Sequence, residues 1–241
     1  MTAWEATIYQ LKNLKGKPLK QKVLHILTYF GLPLLIVAVV VLCAVSYIVH
    51  VATVKDTALH VACVNAFADP DASETYMLSF AEEAAIDLER YEVYLSTDVT
   101  FSPDDILELY DAAQVLDMRI AAQDIDVIAG EPESLTPFFY REIFADLTTV
   151  LSPEQQEEYC SYYLYMDIAV LRQEENSAVE YPDPSDPESM QEPVPVALRL
   201  PEDAAFPELC FPLRKGIVAA GIIVNSENLT NALEFLDYLL E

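Results

Sequence analysis

From Val23 to Val54 the chain runs 32 residues without a charged side chain, and Phe30 to Val49 within it is almost wholly aliphatic or aromatic. A helix of about 20 apolar residues crosses a hydrocarbon core roughly 30 Å thick. In lipid the backbone must also satisfy its own polar groups, which a helix does. The pattern therefore predicts a single transmembrane helix over residues 23–54. Beyond it the apolar spacing changes. Leu59 to Phe67 is a continuous apolar run closed by Ala68-Asp69-Pro70-Asp71, the signature of a buried strand and a turn. Met77, Phe80, Ala81, Ala84, Ala85 and Leu88 form a helical stripe within 73–89, and Tyr91–Leu95 alternates as a second strand.

Ser102-Pro103-Asp104-Asp105 reads as a helix start, with Ser as N-cap and Pro at the first position. Ile106, Leu109, Tyr110, Ala113, Leu116 and Ile120 continue that helix. Ile125–Ala129, closed by Gly130, predicts a third, central strand in which Asp126 needs a hydrogen-bond donor or a helix N-terminus nearby. The order β-α-β-α-β points to an α/β class, a doubly wound and mostly parallel sheet. A helix is expected around Leu135–Leu151, and another from the Ser152-Pro153-Glu154-Gln155 capping box. Tyr162–Leu171 reads as a strand, with helix as the alternative. Val194–Leu200 and Gly216–Val224 read as strands, and Asn225–Asn228 caps a closing helix that carries Leu229, Ala232, Leu233, Leu236 and Leu240.

Charge divides the chain sharply. Lys12, Lys15, Lys17, Lys20 and Lys22 precede the apolar run, making residues 1–22 a basic, amphipathic leader that serves as a topology signal or a contact for anionic lipid or a partner. Basic flanks mark the cytoplasmic face. The expected localisation is the cell membrane, single-pass, with the N-terminus inside and residues 55–241 extracytoplasmic. A cleaved signal peptide fits less well, because the run is long and His50-Val51-Ala52 lacks the small residue an A-x-A site requires. After Val54 there are eight basic and 39 acidic residues, a net charge of −31. Such a surface excludes nucleic acid as a partner, since that binding needs Lys and Arg against phosphates. Residues 173–195, with five prolines, seven acids and no basic residue, read as an irregular exposed loop.

Candidate chemistry is sparse. His60 is the only histidine after Val54, and it falls inside a predicted strand, so no Ser-His-Asp or Cys-His centre assembles. Gly130, Gly216 and Gly221 are the only glycines there, too few for a phosphate-cradling loop. No His/Cys spacing suits zinc. The reading is no enzyme, no cofactor and no metal. Cys63, Cys160 and Cys210 leave one disulfide or three thiols equally open.

The stretch Asp117–Gly130, with its acidic turn and Asp-Val-Ile strand, resembles the extracytoplasmic solute-binding proteins of ABC importers, which have the type 2 periplasmic-binding fold. Phe138–Leu151, with Phe144-Ala145-Asp146-Leu147, is similar to that family's aromatic-rich helix and following segment. Ile223–Leu239 resembles its closing strand and helix. The resemblance implies an exterior domain equal to one lobe of that two-lobed fold, with residues 173–195 where the second lobe would enter. It implies a non-catalytic ligand-binding or interaction domain, whose partner is a small molecule or another membrane protein. In a doubly wound sheet ligands lie beyond the C-terminal strand ends, where strand order reverses. In the resembled fold that point lies between the first and third strands, which nominates Phe67, Asp69, Gly130 and Glu131, with Ser96 and Asp98 of the second-strand end alongside.

Overall fold

The computed structural model describes residues 18–102, 105–172, 181–201, 203–211 and 217–240. It divides into two units, Met1–Val54 and Lys55–Glu241. In the first, helix α1 spans Leu19–Thr53 and contains Pro33. It starts earlier than the apolar run suggests, so Pro33 lies well inside it and withholds one backbone N–H. Its Gly31–Val49 stretch has a mean hydropathy of 2.9 and no buried residue. Thr28 and Thr53 donate their hydroxyls to the carbonyls of Leu24 and Val49, each at 2.8 Å, so these polar groups are satisfied within the helix. The helix is long and apolar enough to cross a bilayer, as a membrane anchor or a signal segment near the N-terminus.

In the second unit the described residues form a mixed six-stranded sheet in the order β2-β1-β3-β6-β5-β4. The strands are β1 Asp56–Val64, β2 Tyr91–Val99, β3 Val127–Gly130, β4 Tyr163–Asp167, β5 Pro193–Arg199 and β6 Ala219–Ile222. β1 pairs in parallel with β2 and β3, whereas β3–β6, β6–β5 and β5–β4 are antiparallel. The expected mostly parallel sheet is thus corrected to one that is parallel on one side only. The reason is physical. Strands buried on both faces read as unbroken apolar runs, and such a run carries no mark of direction.

Helices cover both faces. Leu59, Val61, Cys63, Val127, Ala129, Ala220 and Ile222 face one core, closed by α2 Pro70–Glu83, α8 Ala205–Cys210 and α9 Leu229–Leu240 through Phe80, Phe206 and Phe235. Ala62, Val64, Ile128, Val196 and Ala219 face the other, closed by α3 Ile106–Ala121 and α4 Pro132–Phe139 through Leu116, Leu135, Phe138 and Phe139. Gly221 sits where β6 passes Phe144 and β5. An added Cβ would lie 2.6 Å from Phe144 Cδ1 and 2.7 Å from the Val196 carbonyl oxygen.

Other expectations shift locally. The α3 N-cap is Asp105, whose Oδ1 accepts from Leu107 and Glu108 N–H, rather than Ser102. The helix expected over 135–151 is broken into α4 and a single turn, α5 Leu147–Val150. Between them residues 143–145 run beside 222–224: Phe144 bridges Ile223, and Ala145 N–H donates to the Ile222 carbonyl at 2.9 Å. The capping box forms as read, Ser152 and Gln155 bonding reciprocally at the start of α6 Pro153–Tyr159. β4 ends at Asp167 and is followed by the short α7 Ile168–Leu171.

The segment read as an irregular exposed loop over 173–195 is irregular and largely exposed over residues 181–192, and is corrected only at its end. Pro193 and Pro195 belong to β5, in the half that pairs only with β4 and so needs no second set of donors. Residues 181–192 lie along edge strand β4, where Tyr165 N–H donates to the Pro184 carbonyl at 2.8 Å and Met190 is buried. Tyr181 stacks on Tyr140 with centroids 4.5 Å apart. Buried Asp167 accepts from the N–H groups of Ala169, Gln191 and Glu192 at 2.9–3.0 Å. Burial raises its pKa, and these three donors outweigh that and hold it below the usual carboxylate range. The edge is thereby covered rather than left open to pairing. Residues 173–180 lie outside the described residues.

Candidate functional site

The C-terminal ends of β1, β2 and β3 are stitched together by one side chain. Asn65, just past β1, has a left-handed backbone (φ 55°), which Asn tolerates better than most residues. Its amide donates to Ser134 Oγ at 3.0 Å and accepts from Phe101 N–H at 2.8 Å, while its own N–H donates to the Val99 carbonyl at 2.9 Å. Gly130 is packed as well: a Cβ there would meet the Leu135 side chain at 3.2 Å and the Val64 carbonyl at 3.4 Å. The point between β1 and β3 where a doubly wound fold would admit a ligand is therefore filled by protein.

Two open clefts flank that plug. One, of about 630 Å³, lies between the ends of β1 and β2 and the first turns of α3, lined by Asn65, Asp98, Phe101, Glu108, Asp111 and Val115 among others. Asp98 pairs with Arg119 through both guanidinium nitrogens, the Nη1–Oδ1 distance being 3.0 Å. That hydrogen bond holds Asp98 below the usual carboxylate range. The second cleft, of about 610 Å³, lies between the start of α4 and the 181–185 segment and is lined by Glu131, Glu133, Thr136, Tyr181 and Pro182 among others.

The six nominated residues are spread over this end of the domain rather than gathered in one pocket. Phe67 is 73% exposed on the rim, its N–H bonded to the Cys210 carbonyl at 2.8 Å. Asp69 caps α2, its Oδ1 accepting from Asp71 and Ala72 N–H at 3.1 Å each. Asp98 and Glu131 line different clefts, and Gly130 is interior packing. Ser96 points instead to a buried polar cluster. His60 Nε2 lies 2.8 Å from Ser96 Oγ, Nδ1 bonds the Asp124 carbonyl, and the ring stacks on Tyr94 with centroids 4.1 Å apart. With Nδ1 donating to that carbonyl, Nε2 accepts the Ser96 hydroxyl proton.

Burial lowers the His60 pKa against the opposing pull of Asp124, so the ring is neutral at pH 7. The Asp124 carboxylate stands 3.9 Å from Nδ1. Ser, His and Asp thus meet in one cluster, but a main-chain carbonyl holds Nδ1, and the described lining of neither cleft includes Ser96 or His60. Next to it, Asp126 is buried and accepts from His60 N–H at 2.9 Å, from Ser226 Oγ at 2.6 Å and from Asn228 Nδ2 at 3.3 Å, meeting the need for donors that its place in an apolar strand implied.

A feature that the helical stripe did not announce is a rim of exposed apolar side chains. Ile106, Leu107, Tyr110 and Met118 project from the outer side of α3, with exposures of 81%, 76%, 60% and 65%. Ile106 and Tyr110 were expected in the helical stripe that faces the core; the buried face is instead Ala112, Ala113, Leu116 and Ile120. Leu107, one position off that stripe, was the available signal.

No family model matches the chain, and no curated protein matches it. Among solved structures it is similar to "Structure of the periplasmic binding protein P5PA", at 12% identity and a TM-score of 0.30, over 78% of this chain and 80% of that one.

Proposed function

We propose that this chain is a single-pass membrane protein whose exterior domain, residues 55–241, is a non-catalytic binding domain built like one lobe of a type 2 periplasmic-binding protein. Its occupant is a protein surface laid against the rim. The observation that carries this reading is the pairing of a filled switch point, closed by Asn65 and Ser134, with the exposed Ile106, Leu107 and Tyr110 on one helix. A small molecule enclosed between lobes needs a concave, mostly apolar pocket; clustered exposed apolar residues suit a protein contact. The resembling segments support the one-lobe reading, since they fall on α3–β3, on the 138–151 stretch and on β6–α9.

A photo-crosslinking residue in place of Leu107 in the full chain, irradiated in intact cells, is expected to give a discrete adduct. The same residue in place of exposed Glu234 on α9 is expected to give none. Addition of Tyr110→Lys is expected to abolish the Leu107 adduct. Equal labelling at both positions, or none at Leu107, contradicts the docking role. A second reading rests on the carboxylates Glu108 and Asp111 of the 630 Å³ cleft, which suit a small cationic ligand. Saturable calorimetric binding of such a cation, lost in Asp111→Asn, would favour it instead.

A further inference from the structure

Cys63 and Cys210 stand apart from the surface chemistry. Cys63 is the penultimate residue of β1 and Cys210 the last of α8, and both are buried in the same apolar core on one face of the sheet. Both are free thiols in this structure, and the Cys210 thiol is near enough to act on that of Cys63. The Phe67 N–H bond to the Cys210 carbonyl, at 2.8 Å, fixes the end of α8 beside the segment that leaves β1. The remaining cysteines are elsewhere: Cys160 is exposed and Cys43 lies in α1.

We infer that Cys63 and Cys210 form an intramolecular disulfide when the domain folds on the oxidising side of a membrane. The compartment, and only that, rests on the exterior placement proposed above. The thiolate of one cysteine attacks a small-molecule disulfide such as oxidised glutathione and forms a mixed disulfide, releasing one thiol. The second cysteine then displaces the other glutathione sulfur. Two protein thiols lose two protons and two electrons, and one glutathione disulfide becomes two glutathione thiols. The exchange occurs before the core closes. In the folded domain burial, and next the Cys210 thiol, push the Cys63 pKa up and suppress the reactive thiolate.

Once formed, the bond closes a loop of about 150 residues, long enough for a large effect on the unfolded chain, and raises the apparent Tm by roughly 10 °C. The test is a thiol count on the full chain, with maleimide added in denaturant as membranes are harvested. A second portion is unfolded, refolded with the oxidised and reduced glutathione couple, and counted again. The expected result is two adducts at harvest, on Cys43 and Cys160, four after reduction, and a linked Cys63–Cys210 peptide. Four adducts at harvest but two after refolding would uphold the pairing and overturn the exterior placement. Four adducts in both portions, or a linkage through Cys160, would overturn the inference. As a second readout, reductant is expected to lower the Tm of the wild-type chain and leave that of Cys210→Ala unchanged.

Discussion

His60 shows how one buried polar residue is satisfied within the fold. Its ring is neutral because burial opposes the charged form, and both ring nitrogens are occupied, by Ser96 Oγ and the Asp124 carbonyl. Asp124, Asp126, Arg119 and Tyr94 are the charged and titratable groups that face it, and the Tyr94 phenol, itself pushed up to about 12 mainly by burial, bonds Asp124. A folded-state pKa below the unfolded value means that the unfolded chain binds the extra proton between the two. Stability is then fully present above about pH 6.5 and is lost as pH falls toward the depressed value. The slope is limited to one proton, about 1.4 kcal/mol per pH unit. Urea melts of the full chain between pH 5 and 7 should show stability rising with pH, and His60→Gln should flatten that rise. An unchanged slope in the variant would place the titration elsewhere. The cluster was illegible in the sequence because His60 and Ser96 meet only through the β1–β2 register, which pairs His60 with Tyr94 and Ala62 with Ser96. No local spacing encodes that offset.

Among the elements, those specified by neighbours in sequence were legible and those specified across the sheet were not. The Ser152–Gln155 capping box precedes a helix where its chemistry predicts, while Asp69, read as part of a turn, caps α2. The strands β1, β3, β5 and β6 sit within or beside the apolar runs that announced them. Their directions were hidden, because burial on both faces erases the alternation that marks a one-sided strand. The 181–192 segment is irregular and largely exposed, as its prolines and acids suggest, but its place along the edge of β4, held through Asp167 and Tyr165, had no local mark in the sequence. Of the nominated site, Asp98 and Glu131 do border clefts, while Gly130 belongs to packing that only the tertiary fold reveals. Gly221 offers a test of the antiparallel half of the sheet. Gly221→Ala puts a methyl group against the Phe144 ring and the Val196 carbonyl, and the backbone contact cannot be relieved by a rotamer change. Overpacking of this kind costs on the order of 1–3 kcal/mol. A denaturant midpoint unchanged by Gly221→Ala would mean that β6 does not pass β5 and Phe144 as described.

At the scale of the whole molecule, two opposite solvents meet in one chain. Helix α1 exposes an apolar surface along Gly31–Val49, while the residues after Val54 carry a net charge of −31. That charge favours solubility and opposes contact with an anionic lipid surface, which fits the proposed role of the α3 rim as a protein contact. The lysines of residues 12–22 support the proposed cytoplasmic N-terminus under the positive-inside rule. The proposed function requires the tether to hold the domain outside at the membrane, and this claim can be tested directly. A chain with different epitopes at its two ends is expressed in intact cells, and protease is added outside. The account predicts that the C-terminal epitope is lost while the N-terminal epitope survives on a short membrane-held fragment. A protected C-terminal epitope in intact cells, or a domain shed into the medium without protease, would contradict it.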